Sequence, residues 1–385
     1  MTFLNRHAIQ AFVAVNLIFA TACTDGSKQA SQDDIHTSEV PVIDTLLISS
    51  DYGNLEQADF NASNTDFVIL QEDDRTMFSD ISQVIDAFGK YFIVDSDGSR
   101  KVVSFDHNGK PLASYGKRGK GPDEYIFPWD VNVTADYVYI LDISQQKLIK
   151  YNHAGNYISN QKVPFGSRGF TFLNDHKILF NLDPMEEGNY QLCVTDSALN
   201  PLSYMLHYPD GHVGGWITND VFLKNENGIS YYKSPADTIY RLDNDGRLIG
   251  KRLLEFENGP IHESAKIDFV KALEQEKLTS GMHLLNNPFE LPNGICFMEV
   301  TDYTKGGAHV VALDPASGKH RAKKFGDKMS IYDVIVPCAL DRNNHIISYL
   351  DRDIASKCDD FAAMPDSLVK ALDKGYRLLV IHRMD

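Results

Sequence analysis

The chain has 385 residues, 43% of them hydrophobic, enough to bury a large core as one big domain or two smaller ones. A mean hydropathy of −0.28 fits a globular body and not a polytopic membrane protein. The net charge of −16 is spread along the sequence with no long acidic tail, which argues against a nucleic-acid partner.

Residues 1–22 read as a leader. Arg6 and His7 precede the apolar run from Ala8 to Ala22, a stretch short for a membrane span and ending in small residues. Ala20-Thr21-Ala22-Cys23 resembles a bacterial lipobox, in which Cys23 becomes the lipidated N-terminus of the mature chain. Loss of Arg6 with the leader would move the net charge from −16 to −17. Residues 23–40 are polar and poor in large apolar groups, and read as a flexible tether. Residues 41–385 form the folded domain.

Within that domain the sequence repeats itself. Residues 92–116 and 139–162 align so that Asp95 meets Asp142, Lys101 meets Lys147, Phe105 meets Tyr151 and Gly109 meets Gly155. Each copy reads as a strand ending in Asp, a turn, a second strand, a tight turn ending in Gly, and a third strand. The tight turn begins at Asp106, Asn152, Asp196, Asp243 and Asp314, at spacings of 46, 44, 47 and 71 residues. Asp and Asn suit that position because their side chains bond the backbone two residues on. A period of 40–50 residues holding four short strands is that of a propeller blade.

Strand runs near 81–86, 90–95, 101–106 and 111–116 make the first blade; others follow at 129–162, 168–207, 216–256 and 283–325. The last blade has runs at 331–339, 345–350 and 376–383, one strand short. Residues 41–48, Pro-Val-Ile-Asp-Thr-Leu-Leu-Ile, are the expected donor of the missing strand, leaving no open edge at the seam. The fold class is therefore all-β: a six-bladed β-propeller closed by an N-terminal strand. Two helical insertions interrupt it, at 262–278 and 359–375. In the first, Ile267, Val270, Leu273 and Leu278 recur at helical spacing; the second lies between Pro365 and Gly375.

The run Gly116-Lys-Arg-Gly-Lys-Gly-Pro-Asp-Glu-Tyr125 invites a phosphate-loop reading, but no Gly-Lys-Ser/Thr ending and no helix follow. It lies between two blades and reads as their crossover. With its flanks it resembles the NHL repeat, and the six-bladed propeller lipoproteins of the Bacteroidetes. That resemblance implies a propeller serving as a scaffold or binding module, with a minority of metal-dependent lyases or hydrolases.

Chemistry-bearing motifs are otherwise sparse. Cys193, Cys296, Cys338 and Cys358 form no CxxC pair, and the first three lie in strand-like runs that favour buried thiols over disulfides. His107, His153, His176, His320 and His345 fall in hairpin turns, and the rest have no ligand spacing, so no metal site and no cofactor is expected. The candidate ligand-binding residues are loop aromatics and cations: Tyr125 and Trp129 beside the crossover, Arg118 within it, Arg168 before the third blade, Trp216 before the fourth, and Tyr231. No catalytic residue is assigned. The expected function is a lipid-anchored envelope protein, monomeric, that binds a protein, peptide or glycan on one face of the disc. The alternative is a propeller lyase or hydrolase acting on polysaccharide or peptide.

Overall fold

The tight turns that mark the repeat do close their hairpins through aspartate and asparagine. Asp106 Oδ1 accepts hydrogen bonds from the N–H groups of Asn108 and Lys110, each 2.9 Å long. Asn152, Asp196 and Asp243 repeat the same pattern two and four residues on. Gly109, at φ +75°, has its α-carbon so close to Ile69 O that an added Cβ would lie 1.8 Å from that oxygen. Only glycine fits there.

The computed structural model describes residues 31–32, 40–49, 62–184, 186–213, 221–225, 228–275, 278–324 and 329–383. The leader, Cys23 and Trp216 lie outside the described residues. Six antiparallel sheets form the six blades. Their innermost strands are Gln83–Ala87, Pro128–Val133, Ser167–Phe172, Phe222–Asn225, Met282–Glu290 and Pro337–Leu340. Each touches the innermost strand of the next blade, and the sixth returns to the first.

The ring is closed by an N-terminal strand, but not by the expected one. Thr65–Ile69 pairs antiparallel with Leu378–His382 and supplies the sixth blade's outer strand. Val42–Ile48 instead adds a fifth strand to the fourth blade, parallel to Leu248–Phe256. Its apolar sequence reflects half-burial: Leu46 and Ile48 are buried, while Val42, Ile43 and Leu47 stay exposed. Ser31–Gln32, within the expected tether, pairs in parallel with Pro201–His207 of the third blade.

Both helical insertions form, the first as two short helices, Glu263–Ile267 and Phe269–Glu274. The second holds the helix Asp366–Asp373, with Arg352–Ala355 ahead of it. Leu368, Ala371 and Leu372 bury into the cluster where the sixth blade meets the first, so this helix covers sheet that would otherwise be wet.

Each blade junction holds its own apolar cluster, such as Val94, Val102, Tyr125, Val131 and Ile140 between the first and second blades. A fully buried side chain of this size contributes about 1.5–3 kcal/mol. Polar side chains stitch the same junctions. Gln83 donates to Asp130 Oδ1 at 3.2 Å and accepts from Val131 N; Phe170 N donates to Asp130 Oδ2 at 2.8 Å. Tyr232 Oη donates to Asn286, and Asn287 Nδ2 to Pro337 O, each at 2.7 Å. No disulfide joins Cys193, Cys296, Cys338 and Cys358.

Candidate functional site

Every blade ends its second strand on the face that carries the crossovers, and in the first, second and fifth blades the residue there is an aspartate. Pairing sets Asp95 opposite Lys101, Asp142 opposite Lys147 and Asp302 opposite Gly307. The Asp142 carboxylate collects the N–H groups of Ile126, Phe127, Ser144 and Gln145, tying the incoming crossover to the outgoing loop. Asp95 does the same with Ser79, Asp80, Gly98 and Ser99.

The fourth blade breaks this rule. Its pairing of Tyr231 with Tyr240, extended two residues, places Lys233 at the aspartate position. Lys233 Nζ donates to Tyr208 Oη and lies over the same ring, 4.5 Å from its centroid. Tyr208 Oη donates in turn to Leu182 O at 2.6 Å, and His212 stacks on its ring at 4.8 Å and 9°. Beside them, Arg168 Nε donates to Asp183 Oδ1 at 2.6 Å. Arg168 occupies a bulge in the third blade's innermost strand, between Ser167 and Gly169, which aims its side chain out of the ladder.

The electrostatics follow from burial. Burial, with the nearby charge of Arg168, pushes the Lys233 amine down to about 8 against the pull of Asp183. Burial and the Lys233 charge push His212 down to about 4, so its ring is neutral at pH 7. Burial first, then Asp183, raise the Tyr208 phenol, which stays protonated. Among the described residues, His212 Nε2 and Ser234 Oγ are buried without a hydrogen-bond partner. Two cations, one of them paired with Asp183, thus gather with a phenol and the unbonded His212 Nε2 at one point of the rim, where an anionic group would find donors.

The other sequence candidates divide. Trp129 also sits in a bulge, on the second blade's innermost strand, stacked on Phe127 at 5.6 Å with its buried Nε1 unbonded among the described residues. Tyr125 is fully buried, its hydroxyl accepting from Val102 N at 3.3 Å. Tyr231 is equally buried, with its hydroxyl on Asn181 and Gln191 of the third blade. Arg118 is exposed on the crossover between the first and second blades. That crossover folds as a lock: Tyr151 Oη donates to Asp123 O at 2.7 Å, Lys147 Nζ to Glu124 O at 2.6 Å, and Gly121 N to Glu124 Oε2 at 2.8 Å. Asp183, Tyr208 and Lys233 carried no motif; the signal for Lys233 is a lysine where the repeat has aspartate. Among the described residues, no three His, Cys, Asp or Glu side chains group as metal ligands would, and no helix is long and apolar enough to cross a membrane.

The sequence profile of a domain of unknown function, DUF4934, matches residues 41–372, which is nearly the whole propeller. The chain belongs to the DUF4934 family. A search of curated proteins gives no match. Among solved structures, this DUF4934 propeller is similar to a Bacteroides fragilis protein named "putative exported protein", at 17% identity and a TM-score of 0.73, over 89% of this chain and 99% of that one. It is also similar to a member of the DUF4221 family from Bacteroides vulgatus, at 13% identity and a TM-score of 0.51, over 84% and 97%. At these identities the likeness concerns the fold.

Proposed function

We propose that this DUF4934 propeller is an exported binding protein, tethered to the envelope through a lipid on Cys23, that recognises an anionic group of a ligand or partner. The recognition point is the crossover-face rim between the third and fourth blades. The observation that carries this reading is Lys233 in place of the aspartate of other blades, beside Arg168. Arg168 and Lys233 supply charge, and Tyr208, itself stacked on His212, fixes the amine. The leader with its lipobox-like Cys23 and the name of the Bacteroides fragilis fold relative support export.

The test is binding of the purified protein to immobilised poly-L-glutamate and dextran sulfate, with neutral dextran as control. The reading expects binding to the anionic polymers, weakened about tenfold or more by Arg168→Ala or Lys233→Gln. Equal binding by both variants would remove the rim from the function. The contact of Lys233 with Tyr208 also favours a second reading, a lyase or hydrolase using this pair to move a proton. Turnover of a polysaccharide or peptide, abolished by Lys233→Gln, would select it.

A further inference from the structure

On the opposite face, where the sixth blade meets the first, a cleft of about 330 Å³ opens among turn residues that the sequence reading set aside. It falls within the size range of small-molecule sites. Three carboxylates face it, and all are engaged. Asp86, on the first blade's innermost strand, lies 2.8 Å from His107 Nε2 and accepts from Arg342 N at 3.2 Å. Asp341 lies 2.9 Å from His345 Nδ1 and also accepts the N–H groups of Asn343 and His345. Asp66, on the closing strand, pairs with Arg383.

The donors are less committed. Among the described residues, nothing hydrogen-bonds the Arg342 guanidinium, the Asn343 side-chain amide or the Tyr91 hydroxyl, and all three residues line the cleft. Tyr91 packs its ring on His107 at 4.8 Å; burial, Asp86 and Asp341 push its phenol up to about 12, so it remains a donor. An ionised carboxylate only accepts, so the imidazole nitrogen facing it carries the proton.

We infer that this seam cleft is a second binding site, for a small polar molecule carrying one carboxylate or phosphate group. Arg342, Asn343 and Tyr91 hold the anion, and the paired rings of His107 and His345 wall the cleft. The site exists because the sixth blade is composite. Its first turn brings Asp341 to His345, while the closing strand brings Asp66, and both abut the first blade's turn at His107.

Isothermal titration of the purified protein with galacturonate and with glucose 6-phosphate tests this, with galactose as the neutral control and zinc chloride as the competing chemistry. One or both anions should bind at about pH 7 and galactose should not. Arg342→Ala should cost about tenfold in affinity. Asn343→Ala, which removes a second donor, should weaken binding by a smaller factor. Both positions are turn residues, and an unchanged melting temperature confirms that each variant folds. No heat from either anion at about 10 mM, galactose binding equal to galacturonate, or full affinity in both variants would overturn the inference. Zinc binding at His107 and His345 without any response to the anions would assign a metal site instead, and also overturn it.

Discussion

Lys233 holds in the fourth blade the position that Asp142 holds in the second, and the two side chains solve opposite problems. Asp142 binds backbone N–H groups of its own loops; Lys233 turns to the Tyr208 phenol of the preceding blade. Its amine titrates near 8 because burial disfavours the charge. Anion binding at this rim should therefore weaken as pH rises through about 8, where the amine loses its proton. Titrating poly-L-glutamate binding from pH 6.5 to 9.5 checks this. Lys233→Arg, which keeps its charge, should flatten the profile.

Asp130 joins three blades, accepting from Gln83 Nε2 of the first and from Phe170 N of the third. It is 3% exposed, so water cannot replace a lost partner. Asp130→Ala should cost about 1–3 kcal/mol, because it strands the buried Phe170 N–H and leaves Gln83 Nε2 with only its longer bond to Val131 O. Urea unfolding of the variant against the parent measures the loss. A cost below about 0.5 kcal/mol would mean that the apolar clusters alone hold these blades together.

Glu299 is 6% exposed, on the second strand of the fifth blade, and burial pushes its carboxyl up to about 8. The sign is the reverse of a salt-bridged acid. In the fold the group stays neutral until near pH 8, whereas in the unfolded chain it ionises near its ordinary value of 4.5. Stability should fall as pH rises from 4.5 to about 8, then level off, for a total of a few kcal/mol. Glu299→Gln should remove most of that slope in urea unfolding at pH 5 and pH 8, and be the more stable chain at pH 8.

The repeat was legible because its chemistry is local. Asp106, Asn152, Asp196 and Asp243 each bond atoms within four residues, so spacing alone exposed the blades. The helix Asp366–Asp373 was legible for the same reason. The closing strand was not, because Thr-Asp-Phe-Val-Ile at 65–69 has fewer apolar residues than Val42–Ile48 and its partner lies at the far end of the chain. Hydropathy ranks strands by burial and says nothing about which edge they meet. The two candidate sites were hidden differently. Lys233 becomes an exception only once register identifies the other blades' aspartates. His107 and His345 look like ordinary turn residues until ring closure sets them in one cleft.

The two N-terminal strands make separate predictions about truncation. A chain beginning at residue 62 loses Val42–Ile48, whose Leu46 and Ile48 pack with Leu254 and Phe256 on the fourth blade's outer side. That should cost a few kcal/mol, since two aliphatic side chains leave the core, but the six-bladed ring stays closed. A chain beginning at residue 70 loses Thr65–Ile69 as well. Leu378–His382, buried along its whole length, then becomes an open edge at the seam. Open edges of this kind pair with other chains. The shorter chain should lose cooperative urea unfolding and elute as oligomers by size exclusion. Were Val42–Ile48 the closing strand, the chain beginning at residue 62 would already fail, and comparing the two truncations separates these outcomes.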